Sequence, residues 1–131
     1  MSDPRDKFNN FQDALARLNE GIAKHDKDND LTRDGIIQRF EFTFELAWKT
    51  LKSVFEDEGL IGLNSPKTVL REAFAAGLIR DEELWLTMLD DRNATVHIYK
   101  EQLSKDIYDR IQGKYVVALK ELADSIRTRI E

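Results

Sequence analysis

Apolar residues recur along the chain at intervals of three and four, the spacing of helices that bury one face. This spacing predicts a first helix from about Asp6 to Lys24. It predicts a second from about Arg33 to Asp57, with Thr32 as its N-cap. The second helix carries the widest apolar face, which comprises Ile36, Ile37, Phe40, Phe44, Ala47, Trp48, Leu51, Val54 and Phe55.

The segment EGLIGLNSPK interrupts this pattern with two glycines and a proline. Ser65 is then the expected N-cap of a short helix from about Pro66 to Ala76, which ends at Gly77. Asp81 is the expected cap of a fourth helix, which we expect to continue into the segment DRNATVHIYK.

A last helix is predicted to reach the C-terminus, with Ser104 as a candidate cap, and no segment shows the alternation typical of strands. The fold class is therefore all-α. We expect residues 1–131 to form one domain, an antiparallel up-and-down four-helix bundle with one extra short helix.

Two apolar residues of the second helix lie off its main apolar face. Phe42 and Leu46 are one turn apart on the far side, and Glu41 and Glu45 lie at the margin between the two faces. A second apolar patch on one helix is typical of a surface that packs against another molecule. The pattern therefore predicts a dimer or partner interface at Phe42 and Leu46.

Composition narrows the functional classes. The chain contains no cysteine, which excludes disulfides and thiolate metal sites, and no apolar run approaches the roughly 20 residues that span a bilayer. No secretory signal is evident, so we expect a cytoplasmic protein that does not associate with membranes. A net charge of -5 argues against a broad electrostatic grip on nucleic acid, so any RNA contact must be local. No phosphate-binding glycine motif is present, and we predict no cofactor.

The segment DRNATVHIYK is the richest in groups that can do chemistry. On a helical wheel, Asp90, Asn93 and His97 share one stripe, and Arg92 and Tyr99 share another. Arg92 and His97 are five residues apart, hence about 140° apart on a regular helix. Either the helix is irregular there, or two copies of the chain meet across a two-fold axis; we favour the second arrangement.

Arginine and histidine together can cleave RNA without a metal ion. His97 would act as acid or base on the ribose 2′-hydroxyl or the leaving oxygen, and Arg92 would bind the phosphate. Asn93 or Asp90 could orient the imidazole. An ordinary polar helix face would show the same residue types, and His97 could instead be an interior histidine bonded to Asn93. One histidine beside Asp90 does not make a metal site, and we predict none.

Three blocks of sequence resemble the nucleotidyltransferase substrate-binding protein family, a branch of the HEPN superfamily that includes HepT-type toxins. The blocks are GIIQRFEFTFELAWKTLK, SPKTVLREAFAAGLI and LWLTMLDDRNATVHIYKE. The resemblance covers nearly the whole chain and implies a HEPN-like helical bundle that forms a homodimer. It also implies a minimal nucleotidyltransferase partner encoded nearby.

The HepT-like members carry R-x4-H-x-Y, which falls here on Arg92, His97 and Tyr99. The resemblance implies that Arg92 and His97 form a ribonuclease site at a dimer cleft. It implies that the partner transfers AMP to Tyr99 and silences the nuclease, as in toxin–antitoxin modules. The older family name implies an alternative, a noncatalytic subunit that presents a nucleotide or other ligand to the nucleotidyltransferase.

Overall fold

The computed structural model describes residues 3–131, in which all the regular elements are helices and no β-strand occurs. The elements are α1 (Pro4–Ala23), α2 (Asp30–Asp57), α3 (Pro66–Ala75), α4 (Glu82–Ala94), α5 (Glu101–Arg110) and α6 (Val116–Ile130). A π-helical turn, Ile111–Tyr115, joins α5 to α6, so the two form one continuous rod. The all-α prediction of four long helices and one short helix is confirmed.

Helix α2 lies at the centre and packs against α1, α3, α4, α5 and α6. All nine residues of its predicted apolar face are buried, and they form one core with apolar residues of the other helices. Full burial of side chains of this size contributes about 1.5 to 3 kcal/mol each. Burial of this face therefore fixes the orientation of α2 and, with it, the direction of the remaining side chains of α2.

Three predicted helix ends agree with the structure. The Ser65 hydroxyl accepts a hydrogen bond from the amide of Thr68 in a capping box, and the Asp81 carboxylate accepts one from the amide of Leu84 at 3.0 Å. Gly77 follows α3 with a φ of 78°, a conformation that side chains with a Cβ rarely adopt. These caps set the start of α4, and hence the position of its far end.

Two predicted caps are wrong. Helix α2 begins at Asp30, three residues earlier than expected, because the Asn29 side chain accepts from the amides of Leu31 and Thr32 and is the N-cap. Helix α5 begins at Glu101, and no side chain caps it.

Ser104 is instead buried within α5 and connects that helix to α2. Its hydroxyl accepts from Nε of Arg33 at 2.8 Å and donates to Oδ1 of Asp34 at 3.2 Å. Because α5 begins three residues before Ser104, the Ser104 hydroxyl does not cap the helix and instead bonds to α2.

The π-helical turn is a local widening of the α5–α6 rod. Its three central residues, Gln112, Gly113 and Lys114, are exposed, while Ile111 and Tyr115 at its ends are fully buried. A π turn is bonded from residue i to i+5 and accommodates an extra residue. The extra residue therefore bulges into solvent, and both ends of the turn stay in the core.

Candidate functional site

Helix α4 ends at Ala94, in the middle of the segment that holds the candidate residues. Thr95–His97 form a single 3₁₀ turn, and α5 begins only at Glu101. Helix α4 therefore continues into this segment, as expected, but only as far as Ala94. The irregular path, the less favoured of the two arrangements considered above, is present in the single chain. The 140° separation calculated for Arg92 and His97 does not apply to it.

Arg92 lies in the last turn of α4 and is held by α2. Its Nη2 donates to Oε1 of Glu45 at 2.8 Å, and both side chains are less than one third exposed. Its Nη1 makes a longer contact of 3.4 Å with Oδ1 of Asn93. Its Nε is buried and has no acceptor among residues 3–131. The guanidinium is therefore fixed at one end, with one donor unsatisfied.

Two carboxylates of α2 contact the candidate segment. Glu45 uses its second oxygen, Oε2, to accept from the indole Nε1 of Trp48 at 2.6 Å, so its side chain is itself fixed. One turn earlier, Oε2 of Glu41 lies 3.0 Å from the hydroxyl of Thr95, the first residue of the 3₁₀ turn. Glu41 and Glu45, which the sequence places between the two apolar faces of α2, thus bond to the end of α4 and the turn after it.

His97 and Tyr99 are exposed beyond this fixed end. Their ring centroids are 6.1 Å apart, and the rings meet edge to face. Tyr99 is 76% exposed, which makes its hydroxyl accessible to another protein. The two rings therefore form one exposed aromatic surface immediately after Arg92.

The two residues predicted to orient the imidazole do not contact it in the single chain. Asn93 is bonded to Arg92, and Asp90 is exposed. Within residues 3–131, the His97 ring packs edge to face with the Tyr99 ring and makes no hydrogen bond. The orienting role of Asn93 or Asp90 therefore stays a prediction.

Asp91, which the sequence reasoning missed, is the buried carboxylate of this helix end. Oδ2 and Oδ1 of Asp91 accept from Nε and Nη2 of Arg110 at 2.7 and 2.9 Å, and Oδ2 also accepts from the hydroxyl of Tyr115. Burial, followed by the hydrogen bond to Asp91, raises the pKa of Tyr115 above its ordinary value. The hydrogen bond to Asp91 raises the pKa of the Arg110 guanidinium.

The π turn explains how two residues five apart reach the same carboxylate. In a regular α-helix, Arg110 and Tyr115 would be about 140° apart. The i to i+5 geometry of Ile111–Tyr115 brings them to the same side of the rod. Neither the spacing nor the composition around Asp91 indicated this contact, because both partners lie about twenty residues further along the chain.

The surplus apolar pair lies beside the carboxylates of α2. Phe42 is 39% exposed, and Leu46 is half-buried against the core. Each follows directly after Glu41 or Glu45 in α2, so the apolar pair and the acidic pair occupy the same two turns. The predicted interface at Phe42 and Leu46 would therefore lie next to the contacts that hold Arg92.

His25 lies on the connector between α1 and α2 and is only half exposed. Its Nδ1 is 2.7 Å from the Thr32 hydroxyl, and its ring packs against Tyr108 with centroids 4.7 Å apart. These contacts account for the half-burial of the ring.

Residues 3–131 are the part of the chain that the structure describes. This part of the chain has no group of three or more His, Cys, Asp or Glu side chains placed to hold a metal ion. None of its helices combines the length and apolar character required to cross a lipid bilayer.

Comparisons with known proteins agree on one family. A family model described as nucleotidyltransferase substrate binding protein like matches residues 6–128. A Haemophilus influenzae protein named probable ribonuclease HepT is 33% identical over 99 residues, which are 72% of this chain and 67% of that protein.

Two solved structures have the same fold. A Thermus thermophilus protein is 42% identical, with a TM-score of 0.81 over 89% of this chain and 98% of its own. A Haemophilus influenzae protein is 28% identical, with a TM-score of 0.80 over 92% of this chain and 98% of its own. That structure is described as revealing the fold of a substrate binding domain of a nucleotidyltransferase.

Proposed function

Because the chain belongs to the nucleotidyltransferase substrate-binding protein family, we propose that it is the ribonuclease subunit of a two-component module. In this proposal, a homodimer cleaves RNA without a metal ion, and a minimal nucleotidyltransferase partner silences it by transferring AMP to Tyr99. The relative named probable ribonuclease HepT supports the activity, and the family supports the partner.

One observation carries the proposal: α4 gives way to a 3₁₀ turn three residues after an arginine that is held in place. The break leaves His97 and Tyr99 exposed while Arg92 stays fixed to α2. Five residues of α and 3₁₀ conformation separate Arg92 and His97 by about 8 to 10 Å along the axis. An arginine and a histidine side chain are long enough to reach one phosphate group from backbone positions separated in this way.

The reaction requires only groups that this segment supplies. The ribose 2′-oxygen attacks phosphorus and forms a new P–O bond, while the bond from phosphorus to the 5′-oxygen breaks. His97 accepts the 2′-hydroxyl proton and, as the imidazolium, donates it to the departing 5′-oxygen. Arg92 binds the phosphate oxygens and stabilises the charge that grows on them. The products are a 2′,3′-cyclic phosphate and a free 5′-hydroxyl.

The exposure of Tyr99 supports its role as the modification site. Its side chain is accessible to a partner enzyme, and its ring packs edge to face with the ring of His97. An AMP on the hydroxyl would add bulk and negative charge next to the imidazole and would compete with RNA phosphate there.

The apolar pair Phe42 and Leu46 supports dimerisation at the same place. A two-fold axis would pair this patch with its own copy and bring two copies of the acidic margin and of Arg92 together. RNA would then bind in a cleft between the protomers, where a few convergent cations suffice despite the net negative charge.

The test is cleavage of RNA by the purified protein in the presence of a metal chelator. His97→Ala should abolish cleavage while leaving the dimer and the melting temperature intact. The matched control is His25→Ala, which removes the other histidine of the chain and should cleave as the wild type does. Equal cleavage by wild type and His97→Ala would contradict the proposal.

A second candidate is a noncatalytic subunit that presents a ligand to the nucleotidyltransferase. Two observations favour it: a relative's fold is described as a substrate binding domain, and Arg92 is already paired with a carboxylate. The two candidates differ in expression without the partner. A nuclease should arrest growth in a His97-dependent manner, whereas a binding subunit should not.

A further inference from the structure

The carboxylate that holds Arg92 belongs neither to the segment DRNATVHIYK nor to α4. Glu45 lies 47 residues earlier in the chain, and it uses one oxygen for Arg92 and the other for Trp48. We propose that Glu45 is a positioning residue: it holds the Arg92 guanidinium in the orientation that receives the scissile phosphate. This inference rests on the proposed function, and it adds a residue on α2 to the machinery on α4.

Glu45 is suited to this role because it is itself immobilised. Its backbone lies on the buried central helix, and the indole of Trp48, one turn further on, fixes its second oxygen at 2.6 Å. A carboxylate held in this way leaves the arginine little freedom, since the charge-assisted bond of 2.8 Å constrains both groups. Within residues 3–131, Glu45 makes no hydrogen bond or ion pair with His97 or Tyr99, so it acts through Arg92.

The unsatisfied Nε of Arg92 makes the guanidinium dependent on Glu45. Without Glu45, the guanidinium would keep, within residues 3–131, only the 3.4 Å contact to Asn93. Its Nε–H would stay buried without an acceptor, which is unfavourable. The side chain would therefore turn towards solvent, where water satisfies all its donors. Loss of Glu45 should thus displace the phosphate-binding group without removing it.

A first experiment tests the positioning without relying on any activity. The Nε–H signal of Arg92 in a ¹H–¹⁵N spectrum, assigned by its loss in Arg92→Lys, should be protected from exchange with water in the dimer. Glu45→Ala should accelerate that exchange about tenfold or more, the ratio expected for loss of one charge-assisted hydrogen bond. Unchanged protection of this proton in Glu45→Ala would overturn the inference.

A second experiment measures the consequence for cleavage. Glu45→Ala should lower kcat about 100-fold, the effect of a misplaced catalytic group. KM should change little, because removing the carboxylate also removes its repulsion of phosphate. The matched control is Glu58→Ala, which breaks the exposed ion pair with Arg129 about 20 Å further along α2 and should leave kcat unchanged. Wild-type kcat in Glu45→Ala would overturn the role of Glu45 in the reaction.

The two oxygens of Glu45 allow a rescue test. The amide side chain introduced by Glu45→Gln has one acceptor oxygen for two donors, so this variant should lose most of the activity. Adding Trp48→Phe removes the indole donor and frees the amide oxygen to accept from Arg92. The double variant should therefore exceed Glu45→Gln about tenfold in kcat. Equal activity of the two variants would contradict a role based on hydrogen bonding.

Failure of the proposed function gives a different pattern of results. If the wild type does not cleave RNA at all, the ribonuclease proposal fails, and the exchange experiment still decides whether Glu45 holds Arg92. If the wild type cleaves RNA and Glu45→Ala does so equally well, the ribonuclease proposal stands and the positioning inference falls.

Discussion

Asp91 and Arg92 are adjacent in α4, yet their side chains are bonded to different helices on different sides of the bundle. Asp91 binds Arg110 and Tyr115 of the α5–α6 rod, whereas Arg92 binds Glu45 of α2. Neighbouring residues of a helix point about 100° apart, which makes this division possible. The end of α4 is therefore held from two directions, immediately before it breaks into the turn that carries His97.

We expect the Asp91 contacts to contribute to the stability of the whole domain. Asp91→Asn should lower the free energy of unfolding by about 1 to 3 kcal/mol, because it weakens a buried carboxylate bonded to Arg110 and Tyr115. Denaturant titration of the purified protein measures this change.

The neighbouring Asp90→Asn is the matched control for Asp91→Asn. Asp90 is exposed, so the change should stay within about 0.5 kcal/mol. Comparable losses in the two variants would contradict the structural role of Asp91.

The raised pKa of Tyr115 predicts a specific loss of stability in alkali. The folded protein keeps the phenolic proton at pH values where the unfolded chain has released it, so the associated stability is fully present below about pH 10. It is lost as the pH rises towards the folded-state pKa, with a slope of up to about 1.4 kcal/mol per pH unit. The free energy of unfolding, measured by denaturant titration above pH 10, should therefore fall more steeply with pH for the wild type than for Tyr115→Phe.

Tyr99→Phe removes an exposed hydroxyl and is the control for the alkaline experiment. It should retain the wild-type dependence on pH. Parallel curves for the wild type and Tyr115→Phe would show that Tyr115 does not account for the alkaline loss.

The apolar pair on α2 predicts a dimer that a single charge disrupts. Phe42→Asp should weaken self-association about 30-fold or more, the effect of losing a central apolar contact. Light scattering over a range of concentrations measures the dimer, and RNA cleavage should fall with it.

Phe74→Asp is the matched control for Phe42→Asp, because Phe74 is a similarly exposed phenylalanine on α3, at 45% against 39%. It should leave the association unchanged. A dimer that persists in Phe42→Asp and dissociates in Phe74→Asp would place the interface on α3.

The exposed hydroxyl of Tyr99 predicts the site of AMP transfer. Incubation with ATP and the partner nucleotidyltransferase should add AMP to the wild type and silence its cleavage of RNA. Tyr99→Phe should remain unmodified and active, as mass spectrometry and cleavage assays would show. Tyr108→Phe, which removes a half-buried hydroxyl on α5, should be modified like the wild type. Modification of Tyr99→Phe to the wild-type extent would exclude Tyr99 as the acceptor.

Much of the fold could be predicted because helices leave a local signal. All nine apolar residues that the spacing assigned to the buried face of α2 are buried, and Ser65, Asp81 and Gly77 marked real helix ends. The cap predicted at Thr32 lies three residues after the observed cap, Asn29. Both side chains are able to cap a helix, and they lie close together at the start of α2. The prediction of Ser104 as a cap was wrong, because a serine one turn into a helix can equally well bond to another helix.

The detail of the site could not be predicted because it depends on contacts between distant parts of the chain. The segment from Arg92 to Lys100 contains no glycine or proline, so its residues gave no sign of the break after Ala94. Glu45 bonds to Arg92, 47 residues later in the chain. Asp91 bonds to Arg110 and Tyr115, which lie 19 and 24 residues later. A helical wheel favours Asp90 over Asp91 as the acidic residue of the site. It describes a single helix and carries no information about the contact between Asp91 and Arg110.

Because of the π turn, deleting one residue in the C-terminal half should have different effects inside and outside that turn. Between α5 and α6 the chain contains one residue more than a straight rod needs, and that surplus is accommodated at Gln112, Gly113 and Lys114, which face solvent. Deleting Gly113 would then leave a regular helix in which Arg110 and Tyr115 stand four positions apart and still reach Asp91. A deletion elsewhere in either helix would rotate everything after it by about 100° and misalign the core. This short stretch is therefore where this chain should lose a residue without disturbing the bundle.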